Sequence, residues 1–166
     1  MGDLFLSPRG RIGSAAFMRG GYILILISIA VGLSVLVSKP LGMVLSIFNI
    51  ILIYAWAVIW IKRLHNGNKP GTLFFAYIGL YCVISFAAAL IMLMLIGGAD
   101  FMQIVMDKAN EQLSDAQFQT RIEAWQIANM VPLLITKSLT SILTLYIGDK
   151  TIPTDNGDNK YGAGRD

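Results

Sequence analysis

The chain has 166 residues, 55% of them hydrophobic and only 14% charged, with a formal net charge of +3 at pH 7. Ordinary soluble proteins are about a quarter charged, and so short a chain has much surface to cover with polar groups; the composition excludes an ordinary water-soluble domain. One cysteine, Cys82, excludes a disulfide framework, and the small cationic excess needs no nucleic acid to explain it.

Residues 1–19 form a polar lead. Residues 20–38 and 41–61 then carry no charged side chain, and neither do residues 72–99. About 20 apolar residues wound as a helix cross a 30 Å hydrocarbon core, which predicts spans at residues 20–38, 41–61 and 72–96. A cleavable secretory signal is the competing reading of the first span. Against it, the apolar core is long, no small-residue cleavage site follows, and further spans come after. Lys39-Pro40 separates the first two spans. Between the second and third lies IKRLHNGNKPG, Ile61 to Gly71, read as a loop in which Gly67 and Gly71 accept positive φ and Pro70 pre-sets its own.

Residues 100–126 change character, with Asp100, Asp107, Glu111, Asp115 and Glu123 against Lys108 and Arg121. Phe118, Ile122 and Trp125 recur at helical spacing, and Ser114 with Gln117 reads as a capping box. This predicts an extramembranous amphipathic hairpin on the bilayer surface, with Trp125 at interfacial depth. The competing reading is a solvated helix with one face on its own protein.

The fourth span, residues 127–147, contains Pro132 and has Lys137 at its midpoint. On an insertion scale its ten Leu, Ile and Val residues contribute roughly −3 to −6 kcal/mol, against about 3 for one central lysine. Alone it would insert marginally. Thr136, Lys137, Thr140, Ser141 and Thr144 share one stripe, which leaves the rest of the circumference for lipid. The elements together predict an all-α, single-domain integral membrane bundle of four transmembrane helices. A helical hairpin at 100–126 joins helices 3 and 4, and a tail follows at 148–166.

Charge sets the orientation. With the N-terminus inside, Arg9, Arg11, Arg19, Lys62, Arg63, Lys69, Lys150, Lys160 and Arg165 are cytoplasmic, against Lys39, Lys108 and Arg121 outside. Nine basic residues against three obey the positive-inside rule. Both termini are therefore expected in the cytoplasm of a bacterial cell, with the acidic hairpin in the periplasm.

Three short motifs carry a resemblance: GRIG with Phe17 in the lead, KRLHN after the second span, and GDNKYG at 157–162. In order and position they resemble the small bacterial inner-membrane proteins of the domain of unknown function 805 family. That family's opening is Gly-Arg-x-x-Arg-x-x-aromatic, its loop Arg-Arg-Leu-His-Asp and its ending Gly-x-Asn-x-Tyr-Gly. The chain departs from this pattern at Ser14, Met18, Asn66 and Thr72, and residues 100–126 lie outside the resemblance. The family has no assigned activity, so the likeness implies architecture alone.

The topology puts Arg11, Arg63, His65, Asn66, Asn159 and Tyr161 on one side of the membrane. There they could hold an anionic headgroup or a phosphorylated ligand, since arginine offers a planar fork of donors and asparagine donates and accepts. The alternative is that they lock loop and tail against the helix ends. Lys137, with Thr140 and Ser141, is the intramembrane polar candidate. Asn49, Tyr54, Tyr77 or Tyr81 would be its hydrogen-bond partners, and snorkelling is the alternative. Ser28 and Gly32 form a small-xxx-small packing pair. No enzyme motif is present, one His and one Cys cannot make a metal site without carboxylates, and no cofactor is implied. The function expected is an interaction or scaffold subunit whose cytoplasmic loop and tail bind anionic phospholipids, a membrane protein partner or a second copy. The alternative is a small transport or channel subunit with an anion path around Lys137.

Overall fold

Apolar runs without an internal breaker wind into helices, because in lipid a helix is one of the few ways to satisfy every backbone polar group. The computed structural model describes residues 2–96 and 98–163; Arg165 of the charge count lies outside them. Its helices are α1 (Gly2–Leu6), α2 (Ser14–Val37), α3 (Lys39–Ser46), α4 (Phe48–Asn66), α5 (Phe74–Leu95), α6 (Gly98–Ala109), α7 (Asp115–Ala128) and α8 (Met130–Thr151), with a 3₁₀ turn at Gly71–Leu73 before α5. Among the described residues there is no strand, only an isolated bridge between Asn159 and Gly162. Four segments are long and apolar enough to cross a membrane: Ser14–Val37, Pro40–Asn66, Gly71–Leu95 and Met130–Thr151.

Close contacts give the directions. Gly21 and Gly32 of α2 receive Leu145 and Leu134 of α8, so these helices run antiparallel. Gly148 of α8 lies on the Trp60 ring near the end of α4, so those two run parallel. Tyr77 near the start of α5 bonds Thr151 at the end of α8, 2.8 Å between hydroxyls. One end of the assembly therefore gathers residues 10–12, 62–71 and 152–162, and the other carries α6 and α7. We call the first the collar. Around the sides the exposure is inside out: Ile50, Ile53, Phe75, Val83, Phe86 and Met94 are all exposed. Only Met92 is buried on α5.

Several expected boundaries move, each for a reason visible in the contacts. The stretch from Ile61 is not a loop, since α4 continues through Asn66. Hydropathy marks where polarity begins, whereas the helix persists because Leu64 is buried in the core and nothing breaks it before Gly67. Gly67 has φ −87°, and Asn68 takes the left-handed position at φ 56°. Glycine at 67 serves close approach instead: a Cβ there would meet the Pro153 carbonyl oxygen at 2.8 Å. The fourth long helix begins at Met130, not 127, and ends at Thr151, not 147. Pro132 thus falls in its first turn, where a missing N–H costs nothing, and Lys137 lies about a third of the way along. The lead is not all irregular: α1 lies against α4, and the Tyr54 hydroxyl donates to the Leu6 carbonyl at 2.8 Å.

The segment between α5 and α8 is a helical hairpin. The capping box is present, with Gln117 N–H donating to Ser114 Oγ at 3.3 Å and Ser114 N–H to Gln117 Oε1 at 2.9 Å. Phe118, Ile122 and Trp125 are the half-buried positions of α7, and Trp125 meets Phe101 of α6 with ring centroids 5.0 Å apart. Arg121 pairs with Asp107 at 2.8 Å and Lys108 with Asp115 at 2.5 Å. The Lys108 ammonium, by hydrogen bond and charge, holds the exposed Asp115 carboxyl below its ordinary range. That contact is present at neutral pH and fades as the pH falls through the lowered value.

Candidate functional site

A helix ends with four carbonyls that no longer have an intrahelical donor. At the end of α4 all four are taken. Arg63 O and Leu64 O accept from Gly67 N–H, Leu64 O also from Lys69 N–H, and His65 O from Asn68 N–H. The tail completes the set, as Asp155 N–H donates to Asn66 O at 3.1 Å and Asn159 Nδ2 to His65 O at 3.1 Å. The end of α8 is closed from the other direction by Arg63. Its guanidinium donates to Ile152 O at 2.8 Å, Asp149 O at 3.2 Å and Pro153 O at 3.4 Å, and lies 3.4 Å from the Asp149 carboxylate. A cation there also complements the negative end of the α8 dipole.

Arg11 ties the lead to both. Nε donates to Asn66 Oδ1 at 3.0 Å, Nη1 to Gly157 O at 2.7 Å and Gly162 O at 3.2 Å, and Nη2 to Asp155 O. Its neighbour Ile12 N–H donates to Lys62 O at 3.2 Å. The His65 ring stacks on Tyr161, 3.8 Å between centroids and 6° apart. Its Nδ1 lies 3.1 Å from Gly10 O, which can only accept, so that nitrogen carries the proton.

All six residues expected to converge from lead, loop and tail, Arg11, Arg63, His65, Asn66, Asn159 and Tyr161, meet in this collar. Arg11 is 3%, Arg63 1% and Asn66 0% exposed. Their donors are directed mainly at the chain's own carbonyl oxygens, so the arginines act as locks between helix ends and tail. Among the described residues Arg63 Nε, Asn66 Nδ2 and the Asp149 Oδ1 atom are buried and have no hydrogen-bond partner. The exposed cations of this end are others: Arg9, Arg19, Lys69, Lys150 and Lys160 form a rim. Lys150 and Lys160 lie over the rings of Tyr146 and Tyr161, at 5.6 and 5.0 Å.

The second site is a cavity of about 320 Å³ among α2, α4, α5 and α8. Lys137 and Ser141 line it together with Asn49, Tyr81, Trp56 and Trp60. Thr140 does not; it is buried and donates to Thr136 O at 2.8 Å. The polar stripe on α8 is largely self-satisfied, as Thr136, Ser138, Ser141 and Thr144 each donate to the carbonyl four residues back. Of the partners expected for Lys137, Tyr54 and Tyr77 spend their hydroxyls elsewhere and Asn49 Nδ2 donates to Ser46 O at 2.9 Å, while Asn49, Tyr77 and Tyr81 all line the cavity. Among the described residues neither the Lys137 ammonium nor the Tyr81 hydroxyl has a hydrogen-bond partner. Trp60, on the collar-side wall of the cavity, packs edge-on against Phe17 at 4.9 Å and tilted on Tyr77 at 4.5 Å.

Comparison of the chain with family models, curated proteins and solved structures found no match. The three motifs quoted for the family resemblance are the segments that build the collar, which gives their order along the chain a physical reason.

Sequence reasoning missed Asp149, Asp155 and Gly157 in the collar, because their contribution is one of backbone position or long-range contact. It also missed Trp56 and Trp60. Their spacing of four on the second span places both on one helical face, a signal that was available.

Proposed function

We propose that this chain is a non-enzymatic interaction or scaffold subunit of a bacterial inner membrane. It would be a four-helix bundle with both termini in the cytoplasm and the α6–α7 hairpin outside the bilayer. The reading keeps the kinship with the domain of unknown function 805 family as part of the proposal. The observation that carries it is the collar: two arginines consumed internally tie lead and tail to the helix ends, which sets the exposed Arg9 and Lys160 beside the exposed Arg19, Lys69 and Lys150 of the helices and loop at the same end. A basic rim at the inner surface attracts anionic phospholipid headgroups, by about 1 kcal/mol per basic residue near the surface. The same rim would receive the acidic face of a membrane protein partner.

Headgroup binding thus moves from the buried arginines to Arg9, Arg19, Lys69, Lys150 and Lys160. Neutralising Lys69, Lys150 and Lys160 together to glutamine is expected to lower the ratio of anionic to zwitterionic lipid carried through purification in mild detergent, with melting temperature unchanged. An unchanged ratio would refute the rim.

The transport or channel reading has the cavity at Lys137 in its favour. Because Trp60 on its collar-side wall is buried and packed between Phe17 and Tyr77, we read it as a blind site and not a conduit.

A further inference from the structure

We propose that the cavity at Lys137 binds a monoanionic amphiphile, a carboxylate carrying one apolar chain, with its head at Lys137 and Tyr81 and its chain along the tryptophans. The inference is independent of the basic rim.

Charge selects the head. Among the described residues Lys137 is the only charged one on the cavity wall, and no Asp or Glu lines it. An unpaired ammonium at membrane depth costs roughly 2.5–3.5 kcal/mol on insertion scales, and one bound monoanion offsets that. A phosphate dianion would bring a second charge with no cation to meet it, and burying an unpaired charge is costly. The serine and threonine hydroxyls on α8 spend their protons on their own helix. The one cationic donor on the wall is the Lys137 ammonium, and the Tyr81 hydroxyl is a neutral donor on the same wall, with Ser28 and Asn49 as further polar groups.

Shape selects the chain. Beyond those groups the wall is apolar and aromatic, with Ile53, Trp56, Leu52 and Trp60 of α4 facing Phe74 and Ile78 of α5. The volume lies at the small end of ligand cavities, about 300–1,000 Å³, which favours a single chain over a two-chain phospholipid. Access is lateral: α5 packs mainly on α8 and little on α4, so the cavity lies where the α4–α5 seam is open, and an amphiphile can arrive from the surrounding hydrocarbon.

The test uses the full chain in a nonionic detergent, carrying Trp125→Phe so that Trp56 and Trp60 are the only tryptophans. The probes are ω-bromododecanoate and ω-bromododecanol, whose bromine quenches a neighbouring indole. At about pH 8, where the carboxylate is ionised, the acid is expected to reach half-quenching at a concentration at least about tenfold below the alcohol. Lys137→Arg is expected to keep that preference, while Lys137→Met and, as a second neutral variant, Lys137→Gln lose it. Equal potency of the two probes in the parent protein, quenching by neither, or a preference that survives both neutral variants would each overturn the proposal.

Discussion

Replacing Arg11 with alanine is expected to detach the tail from the end of α4. The substitution removes the donors to Asn66 Oδ1 and to the carbonyls of Asp155, Gly157 and Gly162, and leaves the buried Asn66 Oδ1 without its donor. Hydrogen bonds to a charged group contribute about 1.5–3 kcal/mol each, and an orphaned buried acceptor costs about 1–3. The contributions are not additive, so we expect a net loss on the order of 3–5 kcal/mol, comparable to breaking other buried charged contacts. Tenfold in population corresponds to about 1.4 kcal/mol, so residues 153–163 should sample the open state on the order of a hundredfold more often or beyond. Hydrogen exchange at the Asp155 amide, which donates to Asn66 O, reads that opening directly. Arg11→Lys should fail to rescue it, since an ammonium cannot span acceptors arranged for a planar fork.

The second large effect is expected from a single methyl group. A Cβ built at Gly148 would stand 2.2 Å from one ring carbon of Trp60 and 2.3 Å from the next. Trp60 has little room to retreat, being 4% exposed and held between Phe17 and Tyr77. Gly148→Ala should therefore destabilise by about 1–3 kcal/mol through overpacking, despite the better helix propensity of alanine. Trp60→Leu alone should also destabilise, by leaving a cavity. Combined, the two changes relieve each other, so thermal melting of the purified protein should show a double variant more stable than the sum of the singles. Simple additivity would mean that α4 and α8 do not touch at this point.

These contacts also show what the amino-acid order could and could not reveal. The number of long apolar helices was legible, because a hydrocarbon core sets a length that charge-free runs such as 72–96 satisfy without reference to anything else. The capping box at Ser114 and Gln117 was legible for the same reason, being local. Helix ends were not. Lys62, Arg63, His65 and Asn66 look like loop residues, yet they are helical; the carbonyls of His65 and Asn66 are taken by a tail about ninety residues on, and that of Lys62 by Ile12 N–H of the lead. The first five-residue helix, Gly2–Leu6, is too short to show a period and exists by packing on α4.

The candidate sites divide in the same way. Convergence of lead, loop and tail followed from counting crossings, so the six collar residues could be named together. Whether their donors faced outward or inward could not be read, because that depends on where Asp155, Gly157 and Gly162 fold back. Lys137 stood out as a charge in an apolar run, but its cavity is assembled from α2, α4, α5 and α8. No window of sequence contains it.

The collar requires residues 62–69 and 153–163 to lie on one side of the membrane, with the α6–α7 turn on the other. Single cysteines at Lys69→Cys, Asp158→Cys and Asn110→Cys, each made with Cys82→Ser, can be labelled by a membrane-impermeant maleimide in spheroplasts and again after permeabilisation. The expected pattern is Asn110→Cys labelled in both conditions, and Lys69→Cys and Asp158→Cys labelled only once the membrane is opened. Opposite protection of Lys69→Cys and Asp158→Cys would contradict the fold at its root, because the two segments could then never meet.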